Sequence, residues 1–307
     1  MDLLKDLISV RGAASDESRI KEFIIDYVKR NQSTWNTHPE VIHGEDFQDC
    51  LILVFGDPRT AIYAHTDTIG FSVGYGKELI KIGGPRTIDG MALVGSDSQG
   101  EIETELMVIE DEDGNTSLQY VFDRELDRGT ILTFKPDFRE TNEYVQSPYL
   151  DNRLGVWNAL QVASTMENGA IVFSTYEEHG GNSVGFCASY LKENFGVRQA
   201  LISDITWVTS GVKHGGGVAI SMRDSVLPRR SYLNRIIQIA RDSGIPFQLE
   251  VESAGGSDGA VLQKSDLSID WCFIGAPEDN VHTPDEKVFK FDIDSMVNLY
   301  RVLMAEL

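Results

Sequence analysis

Short apolar runs of strand length alternate with segments of helical periodicity in the second half of this chain, and this alternation constrains the fold most. The apolar runs lie at 170–176, 199–203 and 269–274, and the helical patterns at 153–166, 183–194, 232–243 and 292–306. Strands that alternate with helices usually form a largely parallel sheet covered by those helices. The sequence therefore predicts an α/β fold: a mixed sheet with a mostly parallel core, flanked by helices.

The first half of the chain shows two other sequence patterns. Apolar spacing at 3–8 and 20–28 predicts two amphipathic helices, with Ser15 as the N-cap of the second. Between residues 68 and 145 glycines recur, helical periods are lost, and β-forming runs surround an Asp113-Gly114 hairpin signal. We therefore expect a small all-β domain, residues 68–145, inserted into a larger domain made of residues 1–67 and 146–307.

Several of the strand-like runs stop at side chains that can bind a metal ion. They are His65 and Asp67 after the run 59–64, Glu177 and Glu178 after 170–176, and Asp204 after 199–203. Open α/β sheets bind ligands outside the carboxyl ends of their strands, so these side chains are expected to converge on one pocket. Each acid taken alone is equally compatible with a cap on a strand or on a following helix.

Two further residues complete the set that a hydrolytic two-metal site needs. Asp151 precedes a predicted helix, where its local sequence fits both an N-cap and a carboxylate that bridges two cations. His282 lies on a loop beyond the strand that ends at Ile274. Such a site also needs a carboxylate that is free to take a proton from water. Glu177 and Glu178 offer a base and a ligand if a turn lets both face the pocket.

Six motifs, taken in order, resemble those of the tetrahedral-type glutamyl and leucyl aminopeptidases, which are dinuclear metallopeptidases. The motifs are HTDTIGF (65–71), LDNRLG (150–155), EE (177–178), Asp204, GGSD (255–258) and VHTPDE (281–286). The likeness covers essentially the whole chain. It implies a zinc-aminopeptidase-like fold in which 1–67 and 146–307 form the catalytic domain. The β insert would then be a lid or an oligomerisation element.

The resemblance also implies a role for each site residue. His65 and Asp204 would bind one metal ion, His282 and Glu178 the other, and Asp151 would bridge them. Glu177 would be the general base, and Asp67 would orient His65. The cofactors would be two divalent ions, zinc or alternatively cobalt or manganese. The peptide bond between Asp151 and Asn152 would be cis.

This chain departs from the family pattern at three positions. Thr68 stands where the family usually has an acid after the His-x-Asp motif, and Asn280 and Val281 replace an arginine and an aromatic residue before the last histidine. None of these positions is a ligand or the base, so we expect activity. The departures bear instead on substrate preference and on the twelve-subunit shell of the family.

Charge and cysteine usage limit the partners and the compartment. The formal net charge of -21 argues against nucleic acid and against an anionic membrane surface as partners. The three cysteines are far apart in the sequence and are interpreted as buried, reduced thiols. With no signal-peptide pattern and no long apolar run, we expect a cytoplasmic protein. The resemblance implies that it forms a homo-oligomer.

The expected function is a dinuclear metal-dependent aminopeptidase that hydrolyses N-terminal residues from short peptides. One alternative is an amide hydrolase of the same fold, either a deacylase or a carboxypeptidase. Another is a metal-binding assembly protein without catalysis. A glycosidase, although it also uses paired carboxylates, is disfavoured because its chemistry does not need the two histidines.

Overall fold

A computed structural model describes residues 1–181 and 183–307, and within these the chain has seven α-helices and seventeen strands. The helices are α1 (Asp2–Ser9), α2 (Ser18–Asn31), α3 (Leu150–Ala163), α4 (Ser183–Phe195), α5 (Arg230–Ser243), α6 (Asp258–Lys264) and α7 (Lys290–Glu306). The strands are β1 (Glu40–Ile42), β2 (Leu51–Phe55), β3 (Thr60–His65), β4 (Gly70–Val73), β5 (Leu79–Ile82), β6 (Ala92–Asp97), β7 (Gly100–Glu110), β8 (Thr116–Val121), β9 (Ile131–Phe134), β10 (Arg139–Glu140), β11 (Tyr144–Gln146), β12 (Gly169–Ser174), β13 (Gln199–Trp207), β14 (Val218–Arg223), β15 (Phe247–Val251), β16 (Asp270–Asp279) and β17 (Lys287–Phe289).

The larger sheet is mixed and has a parallel centre. Its order is β1-β2-β12-β3-β13-β16-β17-β11-β10, and β14 with β15 forms a branch on β16. Neighbours from β12 through β3 and β13 to β16 run parallel, whereas β2 and β17 pair antiparallel with this centre. The strands β2, β3 and β12 are buried along their whole length. This explains why they read as continuous apolar runs.

Helices cover both faces of this sheet. One apolar layer contains buried side chains from α1, α2, α3, α5 and α7. The layer on the other side contains side chains from α4 and α6. The predicted α/β architecture, with a mixed sheet flanked by helices, is therefore confirmed.

A second, six-stranded sheet lies within residues 70–134. Its strands follow the order β5-β4-β9-β6-β7-β8 and all pair antiparallel. It has its own apolar cluster, which includes Phe71, Leu93, Leu132 and Phe134. The strands β10 and β11, also within the expected insert, join the larger sheet instead. Whether this β-rich part acts as a lid or in assembly stays a prediction.

Two local expectations differ from the structure. The residue that precedes α2 is Glu17 rather than Ser15, whose φ of 79° places it in a turn. Asp204 lies inside β13 rather than after it, because β13 stays paired with β16 as far as Trp207. Cys50, Cys187 and Cys272 are buried free thiols, as interpreted. In the described part of the chain, no helix combines the length and the apolar character that a bilayer span requires.

Candidate active site

Six of the seven predicted site residues line one cavity at the carboxyl ends of the central strands: His65, Asp151, Glu177, Glu178, Asp204 and His282. Two groups of potential ligands form there, and in each group the ligand atoms all lie within 4.8 Å of one another. The first group is His65, Asp151 and Asp204, and the second is Asp151, Glu178 and His282. Asp151, at the start of α3, belongs to both.

Distances within the two groups are similar. His65 Nε2 lies 3.2 Å from Asp151 Oδ1 and 3.7 Å from Asp204 Oδ2. His282 Nε2 lies 3.3 Å from Asp151 Oδ2 and 3.3 Å from Glu178 Oε2. Asp151 thus presents one carboxylate oxygen to each histidine, which is the arrangement of a ligand shared by two cations.

These spacings fit divalent cations of the size of zinc. Two ligand atoms that each lie about 2.0–2.1 Å from a tetrahedral zinc ion are roughly 3.3–3.4 Å apart. All four observed separations are longer than the roughly 2.9 Å of a good N–H···O hydrogen bond. In addition, Glu178 Oε1 is buried without a hydrogen-bond partner in the described chain. The imidazole and carboxylate donors are also the types that zinc binds.

The second ring nitrogen of each histidine is fixed by the surrounding chain. His65 Nδ1 lies 3.2 Å from the carbonyl oxygen of Asp67 and 3.5 Å from its Oδ1. His282 Nδ1 lies 3.1 Å from the carbonyl oxygen of Gly84. Acceptors at Nδ1 set the tautomer that leaves Nε2 free to bind a metal. For His65, the nearer acceptor is the backbone of Asp67 rather than its carboxylate.

The carboxylate of Asp67 instead holds the acidic pair. It accepts hydrogen bonds from the backbone N–H groups of Glu177 at 3.1 Å and Glu178 at 3.0 Å. The strand β12 has ended at Ser174, and Tyr176 has a φ of 65°. This turn interrupts the alternation of side chains along a strand, so both glutamates line the same cavity.

Glu286 plays a corresponding part on the other side of the site, and sequence reasoning gave it no role. Its Oε2 accepts a hydrogen bond from the backbone N–H of Asp151 at 3.2 Å, and its Oε1 accepts one from the backbone N–H of His282 at 3.0 Å. One buried carboxylate therefore fixes the backbone of two ligands. Its position in the VHTPDE motif, four residues after His282, was the available signal.

Glu177 lines the cavity but belongs to neither ligand group. Burial raises the pKa of Glu177 well above its usual value, and the charges of Asp204 and Glu178 add to that effect. Burial lowers the pKa of His282, but its contacts with Asp151 and Glu178 outweigh burial and raise it to about 11. The carboxylates thus create a strongly negative, largely buried environment, which favours a bound cation.

The cavity has a volume of about 300 Å³ and extends beyond the two ligand groups. Its further walls come from β13, from β15 and from the segments that follow β14 and β15. They include Thr206, Trp207, Asp224, Glu250 and Glu252. None of these residues lies in a recognisable motif, and they come from three separate stretches of the chain, so local sequence patterns do not identify them.

A family model matches more than half of this chain. The family model described as M42 glutamyl aminopeptidase matches residues 96–299. A protein of Acetivibrio thermocellus, whose description proposes that it is an aminopeptidase, is 26% identical over 97% of this chain and 96% of its own length.

Two solved structures are similar over the full length of this chain. An aminopeptidase of the archaeon Desulfurococcus kamchatkensis is 19% identical, with a TM-score of 0.86 over 100% of this chain and 94% of that one. The TET1 peptidase of Pyrococcus horikoshii, which can assemble into a tetrahedron or a large octahedral shell, is 22% identical. Its TM-score is 0.83 over 100% of this chain and 99% of that one. At these identities the structural likeness shows a shared fold.

Proposed function

This chain belongs to the M42 glutamyl aminopeptidase family, and from that premise we propose that it is a dinuclear metal-dependent aminopeptidase acting on short peptides. Family membership makes it a peptide hydrolase. The observation that carries the two-metal proposal is the position of Asp151, whose two oxygens face the two histidines at 3.2 and 3.3 Å.

Each ligand has a place in this proposal. His65 and Asp204 would hold one ion, His282 and Glu178 would hold the other, and Asp151 would contact both. Zinc fits the donor types and spacings, and cobalt and manganese are alternatives. When bound, divalent cations supply Lewis acidity at the scissile carbonyl group. Asp67 and Glu286 keep the ligands in position by accepting hydrogen bonds from the backbone N–H groups of those ligands.

Glu177 would transfer a proton from the attacking water to the leaving amine. Its carboxylate lines the cavity beside both ligand groups without belonging to either, so it is free to take a proton from the attacking water. The same carboxyl group would then donate that proton to the leaving amine. The hydrogen bond from its backbone N–H to Asp67 fixes its direction.

Metal removal tests the proposal. Treatment with a chelator is expected to reduce hydrolysis of unblocked short peptides by more than tenfold, because the carbonyl group loses its Lewis acid. Zinc, cobalt or manganese should restore activity, and elemental analysis should find two ions per chain. Undiminished activity of the metal-free protein would contradict the proposal.

A blocked substrate separates the aminopeptidase from the other amide hydrolases. The same peptides carrying an N-terminal acetyl group serve as the control in that assay. An aminopeptidase requires the free amine and should leave them intact. Equal cleavage of blocked and free peptides would instead indicate a deacylase or a carboxypeptidase of the same fold.

We also propose that the chain forms a homo-oligomer, as the TET1 peptidase of Pyrococcus horikoshii does. The β-rich insert is the part expected to act in assembly or as a lid. Multi-angle light scattering should give a mass that is a multiple of 34.1 kDa. A mass equal to one chain at micromolar concentration would rule this out.

A further inference from the structure

The cavity continues from the candidate metal ligands into an acidic region. Its lining there includes three carboxylates, Asp224, Glu250 and Glu252, which are called the acidic subsite below. Trp207 and Phe273 line the same cavity. The acidic subsite is therefore part of the space that a substrate enters, and it is accompanied by aromatic surface.

The distance between the acidic subsite and the metal ligands suits a substrate side chain. Asp204 and Thr206 are two residues apart on β13, so they point to the same face and lie about 6.6 Å apart along the strand. Thr206 Oγ1 donates a hydrogen bond to Glu250 Oε1. Glu250 therefore contacts Thr206, which lies next to the candidate ligand Asp204 on the same face of β13. A residue whose backbone is held at the metals could reach it with a long side chain.

The carboxylate of Glu250 lacks a cationic partner. Glu250 is 2% exposed, and the side chains that contact its carboxylate, Thr206 and Ser221, are hydroxyl groups without charge. None of the ion pairs in residues 1–181 and 183–307 includes Asp224, Glu250 or Glu252. A buried carboxylate without a counter-charge is unfavourable, so a ligand that supplies the charge gains binding energy.

The three carboxylates do not form a third metal site. In the described part of the chain, close groups of ligand atoms occur only at the two candidate metal positions. Arg223 is next to Asp224, but its Nη1 donates to the backbone oxygen of Glu252 at 3.4 Å and not to a carboxylate. Burial raises the pKa of Glu250, and the charges of Glu252 and Asp224 raise it further. An organic cation would relieve this mutual repulsion.

We propose that the acidic subsite binds the side chain of the substrate's N-terminal residue and selects lysine and arginine. This inference rests on the proposed aminopeptidase function and adds its substrate class. The cationic head would pair with the carboxylates, and the alkyl stem would lie against Trp207 and Phe273. An N-terminal glutamate, the residue after which the family is named, would meet like charge and be rejected.

A series of fluorogenic aminoacyl amides, assayed with the metal-loaded protein, tests the selection. Lysine and arginine substrates should show kcat/KM at least tenfold above methionine, which has an unbranched side chain without charge. The glutamate substrate should be at least a hundredfold poorer than lysine. Best activity on glutamate or methionine would overturn the proposal while leaving the aminopeptidase intact.

Charge-removing variants test the residues. Glu250→Gln should lower the lysine-to-methionine ratio of kcat/KM at least tenfold, mainly through KM. Glu112→Gln, which removes one charge from an exposed position between β7 and β8, is the matched control and should keep the ratio. If Glu250→Gln does not fold, Asp224→Asn serves in its place. An unchanged ratio in the folded variant would refute the subsite.

Failure of the proposed function would look different. In that case no amide in the series would be hydrolysed with zinc, cobalt or manganese, and the inference would fall together with the function. If some amides were hydrolysed without a preference for lysine and arginine, the aminopeptidase function would stand and only the proposed substrate selection would be wrong.

Discussion

Replacing Glu177 by glutamine is expected to reduce kcat for peptide hydrolysis by about 10²–10⁴-fold, the usual contribution of a general acid–base group. Glutamine has the same shape but cannot accept the proton of the attacking water. Metal binding should persist, because Glu177 lies outside both ligand groups. The hydrogen bond to Asp67 should also persist, since it comes from the backbone of Glu177 and not from its side chain.

The neighbouring residue provides the matched control. Glu178→Gln makes the same chemical change one residue away, at a side chain that lies 3.3 Å from His282 Nε2. It should weaken binding of one ion and regain part of its activity when metal is in excess. The two variants are compared by elemental analysis and by kcat at saturating metal. If Glu177→Gln lost an ion, or kept more than a tenth of the wild-type kcat, Glu177 could not have the proposed role of general base.

The central fold could be predicted because its strands are buried on both sides. In β3 and β12 every position is buried, so the pattern is a continuous apolar run that stops where the strand meets the cavity. His65 is the last residue of β3, and Glu177 follows the end of β12 closely. Asp204 lines the cavity as expected, but from inside β13 rather than from its end, because a polar residue inside a buried strand looks like the end of that strand.

The acidic subsite and Glu286 could not be predicted in the same way. Glu250 lies in β15, where buried and exposed positions are mixed, and nothing in its local sequence distinguishes it from a solvent-facing acid. Its contact with Thr206 joins residues 44 positions apart, and the contact of Glu286 with Asp151 joins residues 135 apart. Such contacts depend on how the strands are arranged in the sheet, which local patterns do not specify.

Asp151→Asn is expected to disrupt both metal positions. The side chain of asparagine has one oxygen and one N–H₂ group in place of two carboxylate oxygens. Whichever way it turns, one histidine of the pair faces a donor where Asp151 now places an acceptor, at 3.2 Å from His65 or 3.3 Å from His282. The loss of one negative charge also weakens attraction to the other ion.

The expected loss in metal affinity is large. Removing a group that only supports a metal ligand typically costs about 10–100-fold in affinity, and Asp151 is proposed to be a ligand of both ions. We expect a loss greater than 100-fold at one position or more, with activity reduced at least as far. Isothermal titration of the metal-free protein with zinc measures the affinity directly.

Asp285→Asn is the matched control for this variant, because it removes the same charge from a side chain that is 58% exposed and belongs to neither ligand group. A ligand that binds only the folded state raises the unfolding temperature. Zinc should therefore stabilise the wild type and Asp285→Asn to the same extent, and Asp151→Asn much less. If Asp151→Asn still bound two ions with wild-type affinity, Asp151 could not be the shared ligand. The two histidines would then have to hold their ions independently of each other.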